Sequence, residues 1–140
     1  MRDDLRELSL FADASRSQLR LIGRQLTRLN VPAGTVLVRE GAFGDEFMVI
    51  LEGEADVSQG GGTIATLGRG DLVGEMALLE HERGRGRRNA TVTARTDMVI
   101  YAGSPAEFRQ ILATAPTVAA KVRDTASARA GARVEERRAA

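Results

Sequence analysis

The sequence has no cysteine, no tryptophan and a single histidine, and only 4% of its 140 residues are aromatic. Without cysteine there is no disulfide framework, no thiolate metal site and no cysteine nucleophile. One histidine, His81, leaves a histidine-based metal centre short of ligands. No stretch approaches the roughly 18 apolar residues of a membrane span. The opening Met1-Arg2-Asp3-Asp4-Leu5-Arg6-Glu7 lacks the apolar region of a secretion signal, so a cytoplasmic location and no membrane partner are expected. An excess of charge of one sign is missing too: 20 Lys and Arg face 19 Asp and Glu, for a net charge of +1. Basic charge can therefore matter only locally. With so few aromatics, the core has to be built from Leu, Val, Ile, Ala and Met.

What is present suits one domain spanning residues 1–140. Residues 3–29 read as helical: Leu5, Leu8 and Leu10-Phe11 come first, then Ser15 as N-cap of a segment with Leu19, Ile22 and Leu26 at helical spacing. From Val31 the texture changes. Pro32-Ala33-Gly34-Thr35, Gly41-Ala42-Phe43-Gly44-Asp45, Gly53 and Gly60-Gly61-Gly62 recur at intervals of about ten residues, the turn spacing of an all-β sandwich or barrel. Between them lie strand-length runs at 36–38, 47–51, 55–57 and 63–67, with further runs at 90–94 and 98–101. The fold class expected is mainly β with flanking helices, its β region over 30–103. Helix resumes over 104–137. Ser104-Pro105-Ala106-Glu107 combines an N-cap, proline at the first helical position and a capping-box glutamate. The segment from Thr117 to about Val134 has few large apolar residues and is marginal as a helix unless docked.

An interruption divides the β runs. Gly70-Asp71-Leu72-Val73-Gly74-Glu75-Met76-Ala77-Leu78-Leu79 passes from a glycine turn into good helix formers, and the free N–H groups at such a helix start form a natural anion site. Arg88 offers a guanidinium able to hold a phosphate through two parallel bonds. Strand parity favours it over Arg87, because Arg88, Ala90, Val92 and Ala94 share a face. A buried arginine wants an anionic partner. That partner is Glu75, or Glu75 accepts a ligand hydroxyl and leaves Arg88 to a phosphate. Arg83, Arg85 and Arg87 lie beside Glu80 and Glu82 without interleaved aromatics and read as a solvated loop. Met48 and Met76 read as core fillers.

Gly74-Glu75-Met76-Ala77-Leu78-Leu79 with Arg88-Asn89-Ala90-Thr91-Val92 resembles the phosphate-binding cassette of the cyclic-nucleotide-binding domain family, of the catabolite activator protein and protein kinase A regulatory subunit type. Leu8-Ser9-Leu10-Phe11, Gly34-Thr35-Val36-Leu37, the stretch from Glu40 to Phe47 and the helix around Phe108 extend the resemblance over roughly residues 5–115. It implies a double-stranded β-helix, a jelly-roll-like β-roll, with N-terminal and C-terminal helices and a cassette at 74–91. It also implies a ligand site of Gly74, Glu75, Met76, Ala77, Leu78, Arg88, Asn89 and Ala90, with Glu75 on the ribose 2′-hydroxyl and Arg88 on the exocyclic phosphate oxygens. The sequence departs from the family's pattern twice. The eight residues Glu80-His81-Glu82-Arg83-Gly84-Arg85-Gly86-Arg87 make a longer loop than is usual, and Asn89 stands where relatives often carry Ala, Ser or Thr.

The reading that follows is a regulatory module that binds a cyclic nucleotide, cAMP ahead of cGMP, and signals through its C-terminal helices to an effector protein or domain in cis or in trans. The alternative is a ligand-free β-roll of the same fold acting as a protein-interaction domain. Apart from Glu75 and Arg88 nothing in the expected cavity suits acid–base work, so no enzyme, no metal and no cofactor are expected. The residues beyond Pro116 are too few for a helix-turn-helix, so no direct DNA binding is expected either.

Overall fold

The computed structural model describes residues 3–42, 46–74, 88 and 90–125. Two short 3-10 turns, Asp3–Glu7 and Ser9–Phe11, lead into helix α1 (Arg16–Gln25). Eight strands follow: β1 (Thr27–Val31), β2 (Val36–Val38), β3 (Phe47–Glu52), β4 (Ala55–Gln59), β5 (Gly62–Leu67), β6 (Leu72–Val73), β7 (Thr91–Ala94) and β8 (Met98–Gly103). Helix α2 (Pro105–Thr114) and a helical segment at 116–125 close the described chain.

The strands form two antiparallel four-stranded sheets, ordered β1-β8-β3-β6 and β2-β7-β4-β5. Together they make the jelly-roll-like β-roll. Register shifts within the β2–β7, β3–β8 and β4–β5 pairs mark bulges. An extra residue at each such point increases local twist and helps the sheets curl towards one another. At the tip of β4–β5, Gly60 and Gly61 have φ of 58° and 85° between the paired Gln59 and Gly62. Positive φ at both central residues is what a two-residue hairpin loop of type I′ requires.

Side-chain alternation along β3 explains why its sequence reads as one unbroken apolar run. Phe47, Val49 and Leu51 face the helices, while Met48 and Ile50 face the second sheet. Tyr101 and Ile100 on β8 divide in the same way. Sheet one is thus covered on both sides, by Leu5, Leu8, Phe11, Leu19, Ile22, Phe108 and Ile111 on one and by Val38, Ala55, Val92 and Ala94 on the other. Each fully buried large aliphatic or aromatic side chain contributes about 1.5–3 kcal/mol over exposure, so these two layers dominate the stability of the fold.

Both expected helix starts are present. Ser15 accepts from the Gln18 amide at 3.1 Å while the Gln18 side chain accepts from the Ser15 amide at 2.8 Å. Ser104 and Glu107 repeat the arrangement at 3.2 and 2.8 Å. Phe108, one turn into α2, packs edge-on against Phe47 with ring centroids 4.5 Å apart.

The helical reading of residues 3–29 needs correcting at its ends. The first residues take 3-10 geometry, and α1 stops at Gln25 because Leu26 turns extended and Thr27–Val31 pairs along β8 from Thr27↔Ala102 to Val31↔Met98. Leu26 is buried and falls four residues after Ile22, so it continues the helical stripe while belonging to the turn. The strand after it carries an exposed, non-alternating pattern that hides it. The two-residue strand β6 lies inside the interruption at 70–79 and likewise had no signal of its own. Of the C-terminal segment, 116–125 is helical and docked: Val118, Ala119 and Val122 are buried, and Lys121 Nζ donates to Ser9 O at 2.5 Å and pairs with Asp13 at 3.1 Å. The remainder of the expected helix, 126–137, lies outside the described residues. No helix among the described residues is long and apolar enough to cross a membrane.

Candidate functional site

Arg88 is the one polar or charged side chain buried among the described residues, 8% exposed. Arg88 lies before β7, outside the strand expected to carry it; the alternation is present from Ala90 onward, with Ala90, Val92 and Ala94 buried and Thr91 and Thr93 half-exposed. Its backbone is pinned from outside the sheet. Arg88 N donates to Ala42 O at 2.7 Å and Arg88 O accepts from Gly41 N at 2.7 Å, so the chain after β2 runs alongside it. Two further contacts brace that turn. Glu40 N donates to the Thr91 hydroxyl at 3.0 Å, and the Glu40 carboxylate accepts from Gly60 N at 3.1 Å.

The guanidinium reaches across to the segment entering β3 and to the end of β6. Nη2 donates to Glu46 O at 2.6 Å and Nη1 to Gly74 O at 3.3 Å. These carbonyls orient the guanidinium plane without bringing a net charge to it. Gly74 is required here for two reasons. Its φ of +90° is a conformation L side chains rarely adopt, and a Cβ at this point would press on Arg88 Nη1 and stand 2.7 Å from Glu46 O. A cation held at the end of β6, where the chain turns on a glycine, is an arrangement suited to a small anion.

Of the expected site residues, Gly74, Arg88 and Ala90 are described. Gly74 and Arg88 are in direct contact, and Ala90 is buried. Glu75, Met76, Ala77, Leu78 and Asn89 lie outside the described residues, as do Arg87 and the long loop. Sequence reading missed the groups that orient Arg88, namely the carbonyls of Glu46 and Gly74 and the backbone of Gly41 and Ala42. Main-chain partners leave no residue-type signal. Their traces in the sequence were the glycines at 41 and 44 and, in the family resemblance, Gly74 and the stretch from Glu40 to Phe47.

Two antiparallel sheets rolled together between helices, with a buried arginine reaching a positive-φ glycine, define a jelly-roll-like β-roll with a cation at the end of β6. A family model described as "Cyclic nucleotide-binding domain" matches residues 28–115, and the chain belongs to that family. The cAMP-dependent protein kinase regulatory subunit of Schizosaccharomyces pombe is 34% identical over 112 residues, 79% of this chain and 26% of that protein. A cyclic nucleotide-gated potassium channel of Rhizobium etli is 34% identical over 122 residues, 87% of this chain and 33% of the channel. Among solved structures, the catabolite activator protein of Thermus thermophilus superposes with a TM-score of 0.76 at 25% identity, over 91% of this chain and 60% of that one. The chain thus spans about a quarter to a third of the length of these two curated relatives.

Proposed function

We propose that this domain senses cAMP in preference to cGMP, and that Arg88 takes the exocyclic phosphate oxygens of the bound nucleotide. The observation that carries the reading is the burial of Arg88 with its guanidinium oriented by Glu46 O and Gly74 O. A 3′,5′-cyclic phosphate keeps one negative charge, which suits a single arginine. Its ribose keeps one free hydroxyl, the 2′, which suits the carboxylate of Glu75. The backbone at Gly74, Ala77, Leu78 and Asn89 completes the cradle, with Met76 and Ala90 beside it. The reading is regulatory rather than catalytic and needs no metal ion or cofactor. Similarity to a cAMP-dependent kinase regulatory subunit supports the choice of cAMP.

The signal then passes through the C-terminal helices to an effector protein or domain. Val118 and Val122 pack into the same layer as the N-terminal turns, and a ligand that prefers one arrangement of this layer shifts 116–125 with it. A residue between Val118 and Arg129 covers the base in that account. Calorimetric titration of the purified chain with cAMP and cGMP tests the proposal. Saturable binding with cAMP the tighter ligand is expected. Absence of binding to both would leave a ligand-free β-roll that acts through protein contacts alone.

A further inference from the structure

Helix α1 carries Arg16, Arg20 and Arg24, and no acidic residue, in the sequence RSQLRLIGRQ. Residues four apart on a helix stand on one face, about 6 Å higher at each step. The three arginines therefore form a single stripe, and all three are exposed. The opposite face, with Leu19 and Ile22, is buried in the core, so the stripe is locked outward. The ion pairs among the described residues join Arg69 to Glu7 and Lys121 to Asp13. None involves the stripe. Leu21, 44% exposed, is the most exposed large apolar residue described and lies three residues before Arg24, its neighbour on the helix surface.

This arrangement works against the helix that holds it. Like charges four residues apart repel, and Arg16 sits at the positive end of the helix dipole with no acid in the first turn to offset it. Arg24, in the last turn, is favourably placed on the dipole, so the opposition to the helix comes from Arg16 and from repulsion along the stripe, and a bound partner of opposite charge would relieve both.

We propose that the outer face of α1 is a docking surface for an acidic helical segment of a partner protein, with carboxylates at successive four-residue spacing opposite Arg16, Arg20 and Arg24 and an apolar side chain against Leu21. Guanidinium and carboxylate pair bidentately, and a helix with Glu at every fourth position repeats the same rise of about 6 Å. The extent of the surface separates this partner from other polyanions. The positive face is three residues long on a chain of net charge +1. A membrane surface or a nucleic-acid duplex presents negative charge across its whole footprint, most of which would lie beyond a stripe three residues long. A single helix laid along the stripe meets the arginines and Leu21.

The test uses the full chain and three probes at low salt: a 20-residue helical peptide with Glu at every fourth position flanked by Leu, phosphatidylserine-containing vesicles, and a 20-base-pair DNA duplex. The Glu peptide is expected to bind at least tenfold more tightly than its Glu-to-Gln analogue and than either other probe, and to weaken as salt rises. A triple Arg16→Gln, Arg20→Gln, Arg24→Gln variant is expected to lose at least tenfold in peptide affinity while its melting temperature stays equal or rises. Leu21→Ser should weaken the peptide without altering the salt dependence. Equal binding of the Glu and Gln peptides, tighter binding of vesicles or DNA, or unchanged peptide affinity in the folded triple variant overturns the proposal. Loss of folding in the triple variant would overturn the claim that these charges oppose the helix, and single Arg20→Gln would then have to show the same loss of affinity for the docking surface to stand.

Discussion

Arg88 and Glu46 are 42 residues apart in the chain, and Arg88 Nη2 donates to the main-chain oxygen of Glu46 at 2.6 Å. The acceptor is a carbonyl, so it survives substitution of the Glu46 side chain, and the guanidinium is aimed before any ligand arrives. An arginine held in place loses little freedom on binding, which favours affinity.

Replacing Arg88 by Ala should therefore weaken nucleotide binding by about 2–3 kcal/mol, roughly 30- to 150-fold, while Arg87→Ala stays near wild type. Arg88→Lys should fall between, because one ammonium cannot serve two carbonyls and a phosphate in the guanidinium's planar geometry. Titration of the three variants with cAMP checks this. Equal affinities for the Arg88 and Arg87 alanine variants would remove Arg88 from the phosphate.

Gly74→Ala combines a strained backbone with a Cβ pressed on Arg88 and Glu46 O. A stability loss of about 1–3 kcal/mol is expected, together with weaker nucleotide binding, since the guanidinium has to leave its place. Urea unfolding and titration of the same sample read both effects. A variant as stable as the parent would show that the turn relaxes freely.

For Glu75, the discriminating ligand is 2′-deoxy-cAMP. The wild type should bind it clearly more weakly than cAMP, and Glu75→Ala should narrow that gap because the carboxylate that reads the hydroxyl is gone. An unaltered preference in the double comparison would place another group on the ribose.

At the C-terminal end, Val122→Ala should lower stability by about 1–3 kcal/mol, as the side chain is buried between helices. Truncation after Ala115 removes Val118 and Val122 from the layer and the Lys121 contacts to Ser9 and Asp13. A lower melting temperature with the β signature retained is expected, with reduced cAMP affinity. Amide exchange across 117–125 should slow when nucleotide is added. Undiminished affinity with unchanged exchange would leave these residues as structural cover only.

Ser104→Ala removes a cap from the helix that presents Phe108 to Phe47. The expected cost is about 0.5–2 kcal/mol, read by chemical denaturation, with nucleotide affinity little changed because Phe108, buried against Phe47, still holds α2 in place. A large affinity loss would instead tie α2 to the site.

What the sequence by itself determined about this protein is local in origin. Ser15 and Ser104 announce their helices because a capping box is closed within four residues. Gly60-Gly61 announces its hairpin because positive φ suits glycine, and the alternating burial of Val92 and Ala94 follows from the two-residue period of a strand. The tertiary structure decided whatever depends on a distant partner. Thr27–Val31 is a strand only because β8 lies beside it, and Leu72–Val73 only because β3 does. Arg88 is aimed by carbonyls whose presence no side chain reports. The segment 116–125, too poor in apolar residues to hold a helix alone, is held by Val118 and Val122 against a layer built from residues about a hundred positions earlier.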